Sequence, residues 1–202
     1  MQNKYCDLLE REDAKIFKCL SDDQGWFEDL IFNDYGSRLD AIAITKNKHR
    51  KINIEIKQRC GKYSDFFEFI KYFDTIFLDY GKLNEFSEIM INSGATAGDG
   101  ATFVSIFNNG DIVLIHDLNK KQPTMHLGQQ RVWNEAKKRW ETEYKLGLFW
   151  YCATIFQRDK DGHYKKWTDD GIKQCKEDVE DERFHKAEEN GSFHSDAFVY
   201  TA

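Results

Sequence analysis

The sequence lacks any run of about 18 uncharged apolar residues, so it predicts no membrane-spanning helix and no membrane partner. Its opening stretch is charged and has no apolar segment of the secretory type, and we therefore expect a cytoplasmic location. Proline occurs once, and no stretch rich in proline, glycine or serine divides the chain. With 202 residues and 41% apolar content, the sequence predicts a single domain that builds its own core.

Several motifs of known chemistry are also absent. The five cysteines are odd in number and irregularly spaced, which fits reduced thiols rather than a disulfide framework. No Cys-x₂₋₄-Cys pair of a structural zinc site occurs, and there is no Gly-x-Ser-x-Gly turn of a serine hydrolase. The glycine-rich segment 93–100 lacks the Gly-Lys-Ser/Thr ending of a phosphate-binding loop. The sequence therefore gives no support to these three classes of function.

The charge of the chain is distributed unevenly. The formal net charge is −6, yet residues 45–62 carry +6 and the remainder −12. A local basic surface favours a polyanionic partner despite the acidic total. A solvated, lysine-rich hairpin is the alternative interpretation of the same segment. Its basic residues are Lys46, Lys48, Arg50, Lys51, Lys57, Arg59 and Lys62.

Periodicity predicts an α+β fold, an α/β sandwich in which helices flank a central mixed β-sheet. Residues 4–33 have apolar positions near helical spacing, which predicts one or two helices. Ser64 is expected to cap a short helix from Asp65 to Lys71. The pattern also predicts a strand over 75–79, a helix over 81–90 and a mobile loop over 93–101.

The second half of the chain predicts two further hairpins and two helices. Asn109-Gly110 is a preferred turn pair, so residues 102–117 are expected to form a hairpin. Trp133, Ala136, Trp140 and Tyr144 fall on one helical stripe, which could face the core or a dimer partner. Apolar residues 148–156 predict a buried strand, 158–167 a hairpin, and 169–189 an acidic helix.

Asp40 and the triplet Glu55-Ile56-Lys57 lie in two stretches that alternate as β-strands do. Isoleucines occupy the even positions 52–56, whereas Glu55 and Lys57 fall on the opposite face. The polar segment between the two stretches predicts a turn, and thus an antiparallel hairpin that brings Asp40 beside Glu55. Two carboxylates and an ammonium at a strand end favour a hard cation with a general base or charge stabiliser beside it.

This arrangement resembles the PD-(D/E)XK phosphodiesterase superfamily, which includes restriction endonucleases, Holliday-junction resolvases and small phage and bacterial nucleases. The matching features are Asp40, Glu55-Ile56-Lys57 and an acid, Glu28, in a leading helix. A polar residue after the strand, an aromatic and a helix that starts with lysine also match, at Gln58, Tyr63 and Lys82. Leu39 stands where the family's name has proline. The resemblance covers residues 25–117, and 118–202 form an extension of unassigned role.

The resemblance implies a metal-dependent deoxyribonuclease with a restriction-endonuclease-like fold. Asp40 and Glu55 would hold Mg²⁺ or Mn²⁺ together with the backbone carbonyl of Ile56, and Glu28 is a candidate further ligand. Lys57 would orient or deprotonate the attacking water, or contact the phosphate.

The expected partner is DNA, with RNA as an open alternative, and analogy with resolvases and restriction enzymes suggests a homodimer. The candidate nucleic-acid contacts are Gln58, Arg59, Tyr63, Lys82, Lys48 and Arg50.

Plainer interpretations exist for each of these residues. The motif could be a cross-strand ion cluster worth under about 1 kcal/mol at a surface. Glu28 and Lys82 could be solvated helix residues, and Tyr63 could pack in the core. For the whole chain, the alternatives are a non-catalytic nucleic-acid-binding or assembly module with a nuclease-like fold, and an acidic DNA mimic.

Overall fold

The computed structural model describes residues 4–33, 39–46, 50–92, 100–120, 125–134 and 138–189. Within these ranges the helices are α1 (Lys4–Gln24), α2 (Phe66–Ile70), α3 (Tyr80–Asn92) and α4 (Asp169–Glu189). The first five strands are β1 (Phe27–Phe32), β2 (Ala41–Thr45), β3 (Lys51–Gln58), β4 (Thr75–Asp79) and β5 (Gly100–Phe107). The next five are β6 (Ile112–Asp117), β7 (Met125–Asn134), β8 (Arg139–Phe149), β9 (Thr154–Arg158) and β10 (Tyr164–Lys166).

The strands form one large and one small sheet. The large sheet is mixed, has the order β1-β2-β3-β5-β6-β9-β10 and curls into a half-barrel. Its neighbouring strands are antiparallel except for β3 and β5, which are parallel. The small sheet has the order β4-β8-β7 and is antiparallel. The prediction of an α+β protein with a central mixed sheet is confirmed.

The large sheet is covered on both faces near its centre, which explains its apolar strands. On one face, Phe17 and Leu20 of α1 pack with Ile54 of β3 and Val104 and Ile106 of β5. On the other face, Phe103 and Leu114 pack with apolar residues of α2 and the small sheet, namely Phe66, Ile70, Ile76, Leu78, Leu146 and Leu148. Alternate residues of β5 thus belong to different cores, as a pleated strand requires.

Of the one or two helices expected within residues 4–33, the first is confirmed as α1, whereas the segment after Gly25 is not helical and forms strand β1. Helix α1 ends at Gln24, and Gly25 follows with φ +61°, a conformation that glycine adopts without strain. A β-bulge between Phe27 and Asp29 shifts the alternation of β1. The extra residue gives the apolar positions a spacing that imitates a helix.

The parallel pairing of β3 with β5 needs a crossover connection, which this chain builds from α2, β4 and α3. The cap of α2 is Asp65 rather than Ser64, since the Asp65 side chain accepts a hydrogen bond from the Glu68 amide (2.9 Å). The expected strand at 75–79 and the helix that contains Lys82 are confirmed. Residues 93–99 of the expected loop lie outside the described residues.

Two hairpins and the acidic helix of the second half are confirmed. Strands β5 and β6 pair across a turn in which Asn108, Asn109 and Gly110 all have positive φ. Strands β9 and β10 pair, and α4 covers the predicted range. The apolar run 148–156 is not one strand, because a 3₁₀ turn at Trp150–Cys152 separates β8 from β9.

The helical stripe through Trp140 and Tyr144 is wrong, because these residues lie on strand β8. Residues four apart share a face in a strand as well as in a helix, so the spacing did not distinguish the two. Trp133 of β7 pairs with Trp140 across the hairpin. Trp140 and Tyr144 are 57% and 51% exposed, so burial in the core is not their role. Across the described residues, every helix is too short or too polar to cross a bilayer.

Candidate active site

The hairpin places Asp40 directly beside Glu55. Ala41 pairs with Ile54, the Asp40 amide donates to the Ile54 carbonyl (3.1 Å), and the Asp40 and Glu55 carboxyl groups are close enough to interact. The Ile56 amide donates to Asp40 Oδ2 at 2.6 Å. The N–H and C=O of one strand residue point to the same side, so the Ile56 carbonyl is directed to the Asp40 side as well. The structure thus brings the two carboxylates together at the end of the hairpin.

Both carboxyl groups are largely withdrawn from water. Burial and the neighbouring charge of Asp40 raise the pKa of Glu55 to about 7, against the attraction of Lys82 and Lys57. Burial also raises the pKa of Asp40, although the Ile56 amide, Lys82 and Lys57 oppose this shift. The two groups therefore compete for charge at neutral pH, and a cation between them would relieve that competition.

Two lysines reach this pair from different elements. Lys57 is exposed and lies two residues beyond Glu55 on β3, on the same face. Lys82, at the start of α3, places Nζ 3.3 Å from Glu55 Oε2 and 3.4 Å from Glu85 Oε2. Burial opposes the charge of Lys82, but Glu55 and Glu85 outweigh it and raise the pKa of Lys82. Lys82 is therefore part of the charged cluster.

Two buried carboxylate oxygens, Glu55 Oε2 and Glu85 Oε2, lie 3.3 and 3.4 Å from Lys82 Nζ and share its charge. Nearby, Gln58 Oε1 is buried without a hydrogen-bond partner among the described residues. Carboxylate and carbonyl oxygens are the ligands that a hard cation prefers. The donor set at this strand end therefore fits Mg²⁺ or Mn²⁺.

The number of protein ligands is small. Within the described ranges, no group of three or more His, Cys, Asp or Glu side chains is arranged to hold a metal ion. A cation at Asp40 and Glu55 would depend on the Ile56 carbonyl and on water for its remaining ligands. Mg²⁺ tolerates this, since it dehydrates reluctantly and usually keeps several waters.

A pocket of about 340 Å³ opens beside the carboxylates. Gln58, Arg59 and Tyr63 line it together with Glu55 and Lys57, so the structure gathers these predicted residues around one cavity. Tyr63 also contacts the Phe73 ring at 5.0 Å. Tyr63 therefore both packs against a neighbouring ring and lines the pocket.

Other candidates do not reach the site. Glu28 lies exposed on β1, not on a helix, and is four residues from Phe32, which pairs with Ala41 next to Asp40. At roughly 3.3 Å per residue this is about 13 Å along the strand, so Glu28 is not brought to the carboxylate pair. Arg50 precedes β3 at the opposite end of the hairpin, and Lys48 lies outside the described residues.

Sequence reasoning missed Glu85 and most of the pocket wall. Glu85 is one helical turn after Lys82, so the i, i+3 spacing could have identified it. The ion pair of Lys145 with Asp79 at the pocket joins β8 to β4. No local pattern could have found that pair, because it depends on the pairing of distant strands.

Comparison with known proteins gives no match: no family model, no curated protein and no solved structure matches this chain.

Proposed function

We propose that this protein is a divalent-metal-dependent nuclease that hydrolyses phosphodiester bonds in DNA. The observation that carries the proposal is the meeting of Asp40, Glu55 and two lysines at one strand end, with the pKa of Glu55 raised to about 7. A purely structural ion cluster would be expected to lower the pKa of its carboxyl groups, whereas the pKa values of both Asp40 and Glu55 are raised.

Asp40, Glu55 and the Ile56 carbonyl would hold Mg²⁺ or Mn²⁺. Bound there, the ion would acidify a water molecule and neutralise charge that develops on the phosphate. The chain contributes the positions of its own groups. The Ile56 amide donates to one oxygen of Asp40 and so holds this carboxylate beside Glu55.

The two lysines have different tasks in this mechanism. Lys57 is exposed on the face of Glu55, so its ammonium can meet a phosphate that arrives from solvent or orient the attacking water. Lys82 is more buried and contacts Glu55, so it holds the carboxylate in place and limits the repulsion between the acids.

The architecture is consistent with a restriction-endonuclease-like fold. A helix precedes the Asp40–Glu55 hairpin, the sheet is mixed, and α3 carries Lys82 to the hairpin from the crossover connection. We extend the proposal to membership of the PD-(D/E)XK superfamily on these grounds. A homodimer that cuts both strands follows from the same analogy.

A second candidate function is a non-catalytic nucleic-acid-binding or assembly module. The 3.3 Å contact of Lys82 with Glu55 favours it, because an internal ammonium can stand in for a cation. The two candidates differ in one respect: the module would bind nucleic acid without any requirement for Asp40 or for a divalent ion.

Cleavage assays test the proposal. Single-stranded, duplex and branched DNA are incubated with the protein in Mg²⁺, Mn²⁺ or EDTA. We expect metal-dependent cleavage that Asp40→Asn, Glu55→Gln and Lys57→Ala each reduce at least about 100-fold, since the first two remove metal ligands and the third removes the group that orients the attacking water. Asp29→Asn is the matched control, an exposed acid of β1 whose loss should leave the rate unchanged. Cleavage retained in all three site variants would contradict the proposal.

A further inference from the structure

The pocket beside Glu55 is lined by aromatic rings. Tyr63, Phe69 and Phe73 form a connected group with ring centroids 5.0–6.4 Å apart. Phe103 and Phe77 line the same cavity, and Phe77 is 36% exposed. Rings that face an open cavity offer a stacking surface to a flat ligand.

The polar groups of the pocket are few and incompletely matched. Arg59 lies 5.9 Å from the Phe103 ring, and its Nη2 makes only long contacts, to Phe77 O (3.4 Å) and Ser105 Oγ (3.3 Å). Arg59 Nε and Gln58 Oε1 are buried without hydrogen-bond partners among the described residues. The pocket therefore holds a spare donor and a spare acceptor beside its aromatic wall.

The pocket also shares residues with the proposed catalytic site. Glu55 and Lys57 line it, so a ligand in the pocket would lie beside Glu55. Two further lining groups are basic, since Lys57 and Arg59 both carry positive charge, and they favour a ligand that carries negative charge. A nucleotide has these properties, since it joins a flat base that can hydrogen-bond to both a donor and an acceptor with a negatively charged phosphate.

We propose that this pocket receives the base of an unpaired DNA nucleotide adjacent to the phosphate that is cut. The inference rests on the proposed nuclease function and adds its substrate class. A base inside a duplex must leave its stack and its partner before it can enter a pocket, which costs a few kcal/mol. Single-stranded or branched DNA avoids most of that cost, so the nuclease acts preferentially on unpaired nucleotides.

An abasic scan on the unaltered protein tests this. One abasic nucleotide is moved position by position through a 5′-labelled single strand, and the products are mapped with Mg²⁺ present. We expect cleavage at a given phosphate to fall about 5- to 100-fold when one particular neighbouring nucleotide lacks its base, the range for loss of one stacked base. Cleavage that is indifferent to the position of the abasic nucleotide, or faster on fully paired DNA, would overturn the inference.

A substitution in the aromatic lining of the pocket gives an independent test. Phe77→Ala should lower kcat/KM on the ordinary strand and have no further effect on the strand with the sensitive base removed, because both changes remove the same contact. Phe184→Ala is the control, an exposed aromatic of α4 that does not line the pocket. Thermal unfolding of both variants checks that they are folded. Equal losses on both strands would mean that Phe77 acts elsewhere.

Experiments can distinguish a failure of this inference from a failure of the proposed function. If the chain cuts no DNA in any metal, the nuclease proposal fails. The pocket is then tested by fluorescence anisotropy with a labelled single strand and its abasic counterpart. Equal affinities would overturn the pocket as well, whereas weaker binding of the abasic strand would support it. Cleavage without base dependence would remove the pocket alone.

Discussion

The cluster around Arg183 and the cluster of Asp40, Glu55 and Lys82 are both partly buried groups of charges, but they are matched in different ways. Arg183 of α4 donates from Nε to Lys71 O (2.9 Å), from Nη1 to Asp74 Oδ1 (2.7 Å) and from Nη2 to Ile70 O. It thereby satisfies carbonyls at the end of α2, where a helix leaves such groups without partners.

The Asp40–Glu55 cluster is organised in the opposite sense. One ammonium, Lys82, lies 3.3 Å from Glu55 Oε2 and 3.4 Å from Glu85 Oε2, so two acids share its charge. Burial raises the pKa values of both acids in the pair rather than lowering them. The charge of Arg183 is thus matched within the chain, whereas the charges of Asp40 and Glu55 are only partly compensated, as the proposed cation site requires.

The largest expected effect comes from Glu55→Gln, which should have opposite consequences for activity and stability. The variant should lose cleavage about 100-fold or more, since the metal would lose a ligand. The pKa of Glu55 is raised from 4.5 to about 7, so between pH 4.5 and pH 7 the folded state binds more protons than the unfolded state. The free energy of unfolding therefore falls as the pH rises through this interval. The neutral amide should therefore make the metal-free protein more stable at pH 8, by at most about 3 kcal/mol.

Urea unfolding of the parent protein and of Glu55→Gln, in EDTA at pH 5 and pH 8, measures their free energies of unfolding. The two free energies should be similar at pH 5, and that of the variant should be higher at pH 8. A variant that is less stable than the parent at pH 8 would show that Glu55 serves the fold, as Arg183 does, and would remove the contrast.

His116 should show the reverse pH dependence. It is fully buried, its Nε2 lies 3.1 Å from Phe149 O, and burial lowers its pKa from 6.5 to about 4. Between these values the unfolded state binds more protons, so stability should fall as pH drops from 6.5 to 4, by about 3 kcal/mol. His116→Gln should flatten this slope in urea titrations. An unchanged slope would mean that other groups cause the acid sensitivity.

Arg183→Met should have a smaller effect, confined to stability. Removal of three hydrogen bonds from a charged group should lower the free energy of unfolding by about 1–3 kcal/mol, toward the lower end because Asp74 is half exposed. Cleavage by the folded variant should be unchanged. Glu12→Gln, an exposed acid of α1, is a control for a simple change of surface charge. Loss of cleavage in the folded Arg183→Met protein would link α4 to the site and weaken the comparison.

The sequence predicted the carboxylate pair because that pair depends on local rules. Strand alternation and a turn are sufficient to bring Asp40 beside Glu55. The contribution of Lys82 required the crossover between β3 and β5, and in the sequence only the expected resemblance to a nuclease superfamily suggested it. The pocket wall combines β3, α2, β4 and β5, and no local pattern specifies how those elements pack.

The errors in the fold have similarly specific causes. The bulge at the start of β1 shifted its apolar residues to a spacing that imitates a helix, and this also misplaced Glu28. Trp140 and Tyr144 lie four residues apart on strand β8, and both side chains are exposed. Side chains four residues apart share one face in a strand as well as in a helix, so their spacing was ambiguous. In both segments, pairing with a neighbouring strand decided the structure where the local pattern was ambiguous.

The most direct test of the account is anomalous diffraction from a crystal soaked with Mn²⁺. A nuclease site of the proposed kind predicts one strong manganese peak between the carboxylates of Asp40 and Glu55, about 2.1 Å from their oxygens and from the Ile56 carbonyl. The peak should disappear in Glu55→Gln. Absence of manganese from this strand end, with the Lys82–Glu55 ion pair unchanged at full soaking, would contradict it.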